Sequence, residues 1–137
     1  MRNRTVEERD AVQNEQEGSA EVAPSAADDQ RLLGLEAQLT ALLNELATLR
    51  NERDGVNQTE IEAILTKLYP VEYAIMTAPA CSIAGLGVKA RHTAYVVSEY
   101  WDKPTDKIDW HAKPVRLLIE AVCEVAGEPV PAIFLQN

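Results

Sequence analysis

The residues of this chain that could support catalysis or metal binding are few and scattered. The potential ligands and nucleophiles are Cys81, His92, Asp102, Asp106, Asp109, His111 and Cys123. They include no Cys-x-x-Cys or His-x-x-x-His spacing, so they match no common zinc motif. A cysteine nucleophile also needs a base beside it, and the sequence places none there. We therefore predict no metal, no cofactor and no enzymatic activity, and we interpret both cysteines as small buried hydrophobic residues.

The glycine-containing segment 85–90, Gly-Leu-Gly-Val-Lys-Ala, suggests a phosphate-binding loop but lacks its pattern. Such a loop needs a Gly-Lys pair followed by Ser or Thr, after a strand. We interpret the glycines instead as positions where another backbone approaches closely. Lys89, Arg91 and His92 then form a small basic group, which is either a solvated helix face or a site for an acidic partner.

Most large aromatic residues fall in one short stretch, beside polar residues of a connection. Together with the basic group, they form our candidate recognition surface: Tyr95, Tyr100, Trp101, Trp110, His111, Lys89, Arg91 and His92. Aromatic residues beside loops often anchor interfaces. Two alternatives remain open. In one, both tryptophans cover an end of the core, with their ring nitrogens bonded to loop carbonyls. In the other, Tyr95, Trp101, Trp110 and His111 line a pocket for a small molecule or a catalytic reaction.

Composition limits the class of protein that can carry these residues. The 137 residues carry a net charge of -9, which disfavours direct binding to nucleic acid or to anionic membranes. No apolar run approaches the roughly 20 residues that cross a bilayer. The start shows no export signal, and two cysteines fit a reducing compartment, so we expect a cytoplasmic protein. Residues 1–30 hold three arginines against eight acidic residues, and residues 1–31 lack Leu, Ile, Phe, Tyr and Trp. We predict a disordered acidic tail over 1–28.

A leucine pattern predicts the first helix, over about 29–54, with Asp28 or Asp29 capping its start. Its leucines recur at alternating spacings of three and four, which is typical of a heptad seam. The seam residues, a candidate interface, are Leu32, Leu35, Leu39, Leu42, Leu46 and Leu49. A second helix, over 59–77, continues through Pro70 because the apolar phase does not slip there. We expect the two helices to form an antiparallel hairpin.

Two shorter helices complete the predicted body, over 83–100 and 114–126. The third would bury the line Ile83, Leu86, Ala90, Ala94, Val97 and Trp101. The fourth is apolar apart from Arg116, Glu120 and Glu124, so we expect these three side chains to form its exposed line. We expect its other side chains to be buried, either because it is the central helix of the body or because a partner subunit covers it. Residues 29–127 thus form the helical domain, and 128–137 an extended, apolar C-terminal tail that docks on the body or on a partner.

The segment 74–91, from Ala-Ile-Met-Thr-Ala-Pro-Ala to Gly-Leu-Gly-Val-Lys-Ala-Arg, resembles a pattern in small all-helical proteins of alphaproteobacteria and their prophages. The resemblance spans about 30–91 loosely. It implies an all-helical cytoplasmic protein from a mobile element, and it implies no activity and no functional residue.

These patterns together predict an all-α protein: a long helical hairpin with two shorter helices packed across it. The leading functional hypothesis is a non-enzymatic interaction protein, either a homo-oligomer or a small subunit of a larger assembly. The first alternative is the small-molecule or catalytic pocket described above. The second is a prophage-type regulator that acts through its acidic tail.

Overall fold

The computed structural model describes residues 26–52 and 58–136, and every regular element in these two ranges is helical. The α-helices are α1 (Ala26–Asn51), α2 (Gln58–Thr77), α3 (Ile83–Val96) and α4 (Ala112–Ala126). Short 3₁₀ helices lie at Ser98–Trp101, Thr105–Lys107 and Ala132–Leu135. The expected all-α fold class is confirmed. The predicted disordered tail falls on residues outside the described ranges, except that α1 already begins at Ala26.

The helix ends follow local chemistry that the sequence partly indicates. As predicted, α2 continues through Pro70 and α4 ends at Ala126. The next residue, Gly127, has a φ of 86°, and its N–H donates to the Cys123 and Glu124 carbonyls. This left-handed geometry suits glycine, which has no Cβ to clash. The third helix is shorter than expected, because the chain tightens into a 3₁₀ turn after Val97.

The core lies between α1, α2 and the end of the chain. Leu32 and Leu39 of α1 are fully buried, and Leu43 and Leu46 are nearly so. They belong to one apolar cluster that includes Ile64, Leu68, Ile75, Val88 and Phe134. Leu35, Leu42 and Leu49 pack at its edge. All six leucines of the predicted seam therefore contact the chain's own core, and they do not form a free surface for another protein.

The central helix is α3, which packs against α1, α2 and α4. Two glycines allow this close packing. A Cβ added at Gly85 would lie 2.5 Å from Asp29 Oδ1 of α1, and one at Gly87 would lie 2.8 Å from the Ala126 Cβ of α4. Close approach at both glycines is therefore observed, but the approaching atoms are side chains and not the backbone that was predicted. The predicted buried line is wrong at its start, because turning both glycines inwards leaves Ile83 and Leu86 more than 40% exposed.

The exposure expected for α4 is observed at Glu124 but is reversed at several other positions. Arg116 and Glu120, expected to be exposed, are half-buried, whereas Leu118 and Val125 are 65% and 70% exposed. The physical reason is that Arg116 and Glu120 hold the indole of Trp101, which turns the apolar side of the helix outwards. Thus α4 is a peripheral helix that buries only Ala112, Ile119 and Cys123.

The C-terminal residues pack on this body and are not extended throughout. The 3₁₀ helix Ala132–Leu135 contacts α1 and α3 and buries Phe134 completely. The Phe134 ring meets Tyr95 edge to face at 6.0 Å between centroids, a favoured arrangement of aromatic rings. Among the described helices, none is both long and apolar enough to span a membrane.

Candidate functional site

The basic residues expected on a solvated face of α3 are largely inside the fold. Arg91 is 3% exposed, and its guanidinium donates to both carboxylate oxygens of Glu36 on α1, at 2.6 and 3.0 Å. It also donates to the Glu128 carbonyl at 3.3 Å. Burial alone would lower the pKa of Arg91, but the hydrogen bond and charge of Glu36 outweigh it, so its pKa is raised. Arg91 is therefore a structural cation.

His92 and Lys89 join α3 to α2. His92 is also 3% exposed, and its Nε2 lies 2.9 Å from Glu72 Oε1 on α2. Lys89 Nζ donates to the Ile75 and Met76 carbonyls at 2.8 and 2.9 Å. These carbonyls belong to the last turn of α2, where no further helical N–H reaches them. Burial lowers the pKa of Lys89. Neither Arg91 nor His92 contributes to a recognition surface in this fold.

Asp29 closes the start of α3 from a neighbouring helix. Its carboxylate accepts hydrogen bonds from Cys81 N, at 3.0 Å, and from the Ser82 hydroxyl. The Ser82 hydroxyl in turn accepts from Gly85 N and caps α3, as expected. Asp29 was predicted to cap its own helix, but α1 starts before it. A carboxylate at a helix N-terminus is favoured by the helix dipole, so this contact fixes α1 on α3.

The aromatic residues of the candidate recognition surface do not converge on one pocket. Tyr95 lies beside Phe134 and lines a cavity with Arg50 and Ile133, whereas Trp101 lines a separate cleft. Trp110 is 79% exposed, and it and His111 line neither space. The prediction that Tyr95, Trp101, Trp110 and His111 line one pocket is therefore wrong. The alternative, in which both tryptophans cover an end of the core and bond loop carbonyls, is also wrong. Trp110 is exposed, and Trp101 Nε1 donates to the Glu120 carboxylate.

One group of polar contacts positions Trp101. Arg116 lies over its indole at 5.3 Å from the ring centroid, which is within the range of a cation–π contact. The same guanidinium bonds Glu120 Oε2 at 3.2 Å and the carbonyls of Tyr100 and Lys103 at 3.1 and 2.8 Å. Tyr100 is half-buried beside this loop. Arg116 thus joins α4 to the connection that follows α3.

The Trp101 cleft lies between this indole, the second half of α4 and the segment after it, and it has a volume of about 500 Å³. Its lining consists of Trp101, Glu120, Cys123, Glu124, Gly127, Glu128, Pro129, Val130 and Leu135. Cys123 is 4% exposed there. Burial raises the pKa of its thiol, against the opposing charge of Arg91, so the group is a protonated and weakly nucleophilic part of the wall.

A second feature is the outer face of α4, which we define as Leu117, Leu118, Ala121 and Val125. All four side chains are exposed, and their spacing of three and four places them on one side of the helix. Another exposed apolar group occurs on α2, where Leu65, Tyr69, Tyr73 and Met76 are 42–70% exposed. Tyr69 and Tyr73 stack on each other at 6.1 Å between ring centroids, and both remain more than half exposed.

The metal-ligand candidates remain apart. The described residues contain no group of three or more His, Cys, Asp or Glu side chains that could hold a metal ion. Cys81 is exposed, so its interpretation as a buried residue is wrong, whereas Cys123 is buried as expected. Cys81 lies outside the core because the turn before α3 presents its N–H, and not its side chain, to Asp29.

Comparisons with protein-family models, with curated proteins and with solved structures found no match for this chain. Sequence reasoning missed the Arg91–Glu36 pair and the Trp101 cleft. A signal for the pair was present, since Arg91 lies one turn after Gly87 and Val88 on a helix whose small residues indicate close packing.

Proposed function

We propose that the protein is a non-enzymatic interaction protein that forms a homodimer through the outer face of α4. The observation that carries this proposal is the exposure of Leu118 and Val125, at 65% and 70%, within a continuous apolar stripe. Fully burying a Leu or Val side chain contributes about 1.5–3 kcal/mol. A stripe without a polar residue is typical of a covered helix face.

The occupant we infer is a second copy of the chain, because the stripe is symmetric along α4. Pro114 is also exposed and extends the outer face by one turn, and Pro114, Leu118, Ala121 and Val125 are spaced by four, three and four. An antiparallel pair of α4 helices would set Leu118 against Ala121 of the partner subunit, and Pro114 against Val125 of the partner subunit. Such reciprocal contacts are what a two-fold interface requires. The small side chain at position 121 leaves room for the leucine.

Charge and composition support the same occupant. Lys113 and Glu124 flank the stripe near its two ends, so an antiparallel pair brings each lysine towards a glutamate of the other copy. The N-terminal residues 1–31 are a poor alternative occupant, because they contain no Leu, Ile, Phe, Tyr or Trp to fill the stripe. A face about 22 Å long and about 10 Å wide is smaller than a standard interface. We therefore expect a weak, reversible dimer.

Sedimentation velocity of the full chain over a concentration series tests the proposal. The wild type should shift from monomer to dimer as its concentration rises, and Leu118→Glu should stay monomeric because it places a charge in the stripe. The matched control is Leu33→Glu, since Leu33 is an exposed leucine of α1 away from this face. A wild type that stays monomeric at high concentration, or a dimer that survives Leu118→Glu, contradicts the proposed interface.

A further inference from the structure

The Trp101 cleft combines apolar walls with a rim of one charge. Trp101, Pro129, Val130 and Leu135 supply the apolar surface, and its volume of about 500 Å³ is within the usual size of small-molecule sites. Three segments enclose it: the 3₁₀ turn that carries Trp101, the second half of α4 and the chain that follows α4. The cleft lining contains none of the four residues of the outer face of α4, although Glu124, at the cleft rim, also flanks that face.

Every ionisable side chain on the cleft's rim is a glutamate. Glu120, Glu124 and Glu128 all line it, at successive spacings of four. Two of them have cationic neighbours: Arg116 bonds Glu120 at 3.2 Å, and Arg91 Nη2 lies 3.9 Å from Glu128 Oε2.

These cations do not neutralise the rim. The charge of Arg91 is already taken up by the two-point bond to Glu36, and Glu124 has no ion pair among the described residues. The surroundings therefore hold four carboxylates and two guanidiniums. The C-terminal end of α4 also lies in the lining, and the helix dipole places a partial negative charge there.

We propose that the Trp101 cleft binds a small organic cation: a compact apolar or aromatic group that carries one ammonium. The apolar part would lie against Trp101, Val130 and Leu135, and the ammonium at the rim beside Glu124. Anionic ligands are disfavoured by the same carboxylates. A neutral ligand of the same shape would gain the apolar contacts only.

The test uses Trp101 as its own reporter. The chain has two tryptophans, and Trp110 is exposed and outside the cleft, so Trp110→Phe leaves Trp101 as the only indole. Titration of this variant with phenethylamine, with phenethyl alcohol and with 3-phenylpropionate compares three ligands of similar shape and different charge. We expect the amine to bind at least about five-fold more tightly than the alcohol, and the carboxylate to give no saturable change.

Two further measurements locate the binding. Adding Glu124→Gln to the reporter should weaken amine binding about three-fold, a modest effect because the group is exposed and screened. Glu45→Gln, an exposed glutamate of α1, is the matched control and should change nothing. Amide chemical shifts should move around residues 120–130 on addition of the amine. The proposal is overturned by equal binding of all three ligands, by an amine affinity insensitive to Glu124→Gln, or by shifts confined to other helices.

Discussion

Replacing Gly85 by alanine should destabilise the protein when position 29 is aspartate, and should stabilise it slightly when position 29 is alanine. A Cβ at position 85 would lie 2.5 Å from Asp29 Oδ1 and 2.8 Å from its Cγ, so the carboxylate must move away. Asp29 is 5% exposed, and moving it breaks its bonds from Cys81 N and the Ser82 hydroxyl. Both bonds hold a buried charge, so their loss is not compensated by water.

The expected magnitude follows from these two bonds. Each hydrogen bond to a charged group contributes about 1.5–3 kcal/mol, and alanine in place of glycine returns up to about 1 kcal/mol of helix propensity. Gly85→Ala should therefore lower the free energy of unfolding by about 2–5 kcal/mol in the wild type. In an Asp29→Ala background the obstructing carboxylate is absent, and the same substitution should raise the free energy of unfolding by up to about 1 kcal/mol.

Urea unfolding of the four proteins, followed by far-UV circular dichroism, measures both effects. Gly34→Ala is the matched control, because Gly34 is a helical glycine of α1 where an added Cβ would meet no atom within 4 Å beyond its chain neighbours and its own helical backbone. It should be mildly stabilising in both backgrounds. If Gly85→Ala has the same effect with and without Asp29, within about 0.5 kcal/mol, the two residues are not coupled and the inferred contact between α1 and α3 is wrong.

Three further predictions address the buried groups. Arg91→Met should lower the free energy of unfolding by about 3–5 kcal/mol, because it leaves the Glu36 carboxylate without its cationic partner, and adding Glu36→Leu should recover most of that loss. If urea unfolding shows the same loss for the single and the double variant, the pairing is contradicted. A thiol reagent should modify exposed Cys81 quickly and Cys123 slowly, since burial raises the pKa of the Cys123 thiol; equal rates by mass spectrometry would refute this. Burial also raises the pKa of Tyr95, so its contribution to stability is present below pH about 10 and is lost as the pH rises through the folded-state pKa. Tyr95→Phe should flatten the alkaline fall in the unfolding temperature, and an unchanged slope would argue against it.

The helical class and the helix positions were predictable because they depend on local patterns. Leucine spacing locates α1, the unbroken apolar phase carries α2 through Pro70, and Gly127 marks the end of α4. Each of these signals lies within a few residues of the structure it specifies.

The orientation of the helices was not predictable, because it depends on pairs of residues far apart in the chain. Composition alone makes Arg91 a solvent-facing charge, and only the position of Glu36, on another helix, makes its burial favourable. The same holds for α4: its apolar residues suggest a buried helix, but Arg116 and Glu120 bind Trp101 from the preceding connection. The Trp101 cleft was missed for this reason, since its walls come from three separate segments.

The burial of Phe134 also sets the order in which the protein can be completed during its synthesis. Phe134 is fully buried and its 3₁₀ helix packs against α1 and α3, so the leucines of α1 leave the ribosome long before the residue that covers them exists. At a translation rate of about 5–20 residues per second, several seconds pass between the two events. During that interval α1 and α2 present an open apolar groove to the surrounding solution. A nascent chain stalled before residue 134 should therefore be a chaperone substrate, although most of its helices are already present.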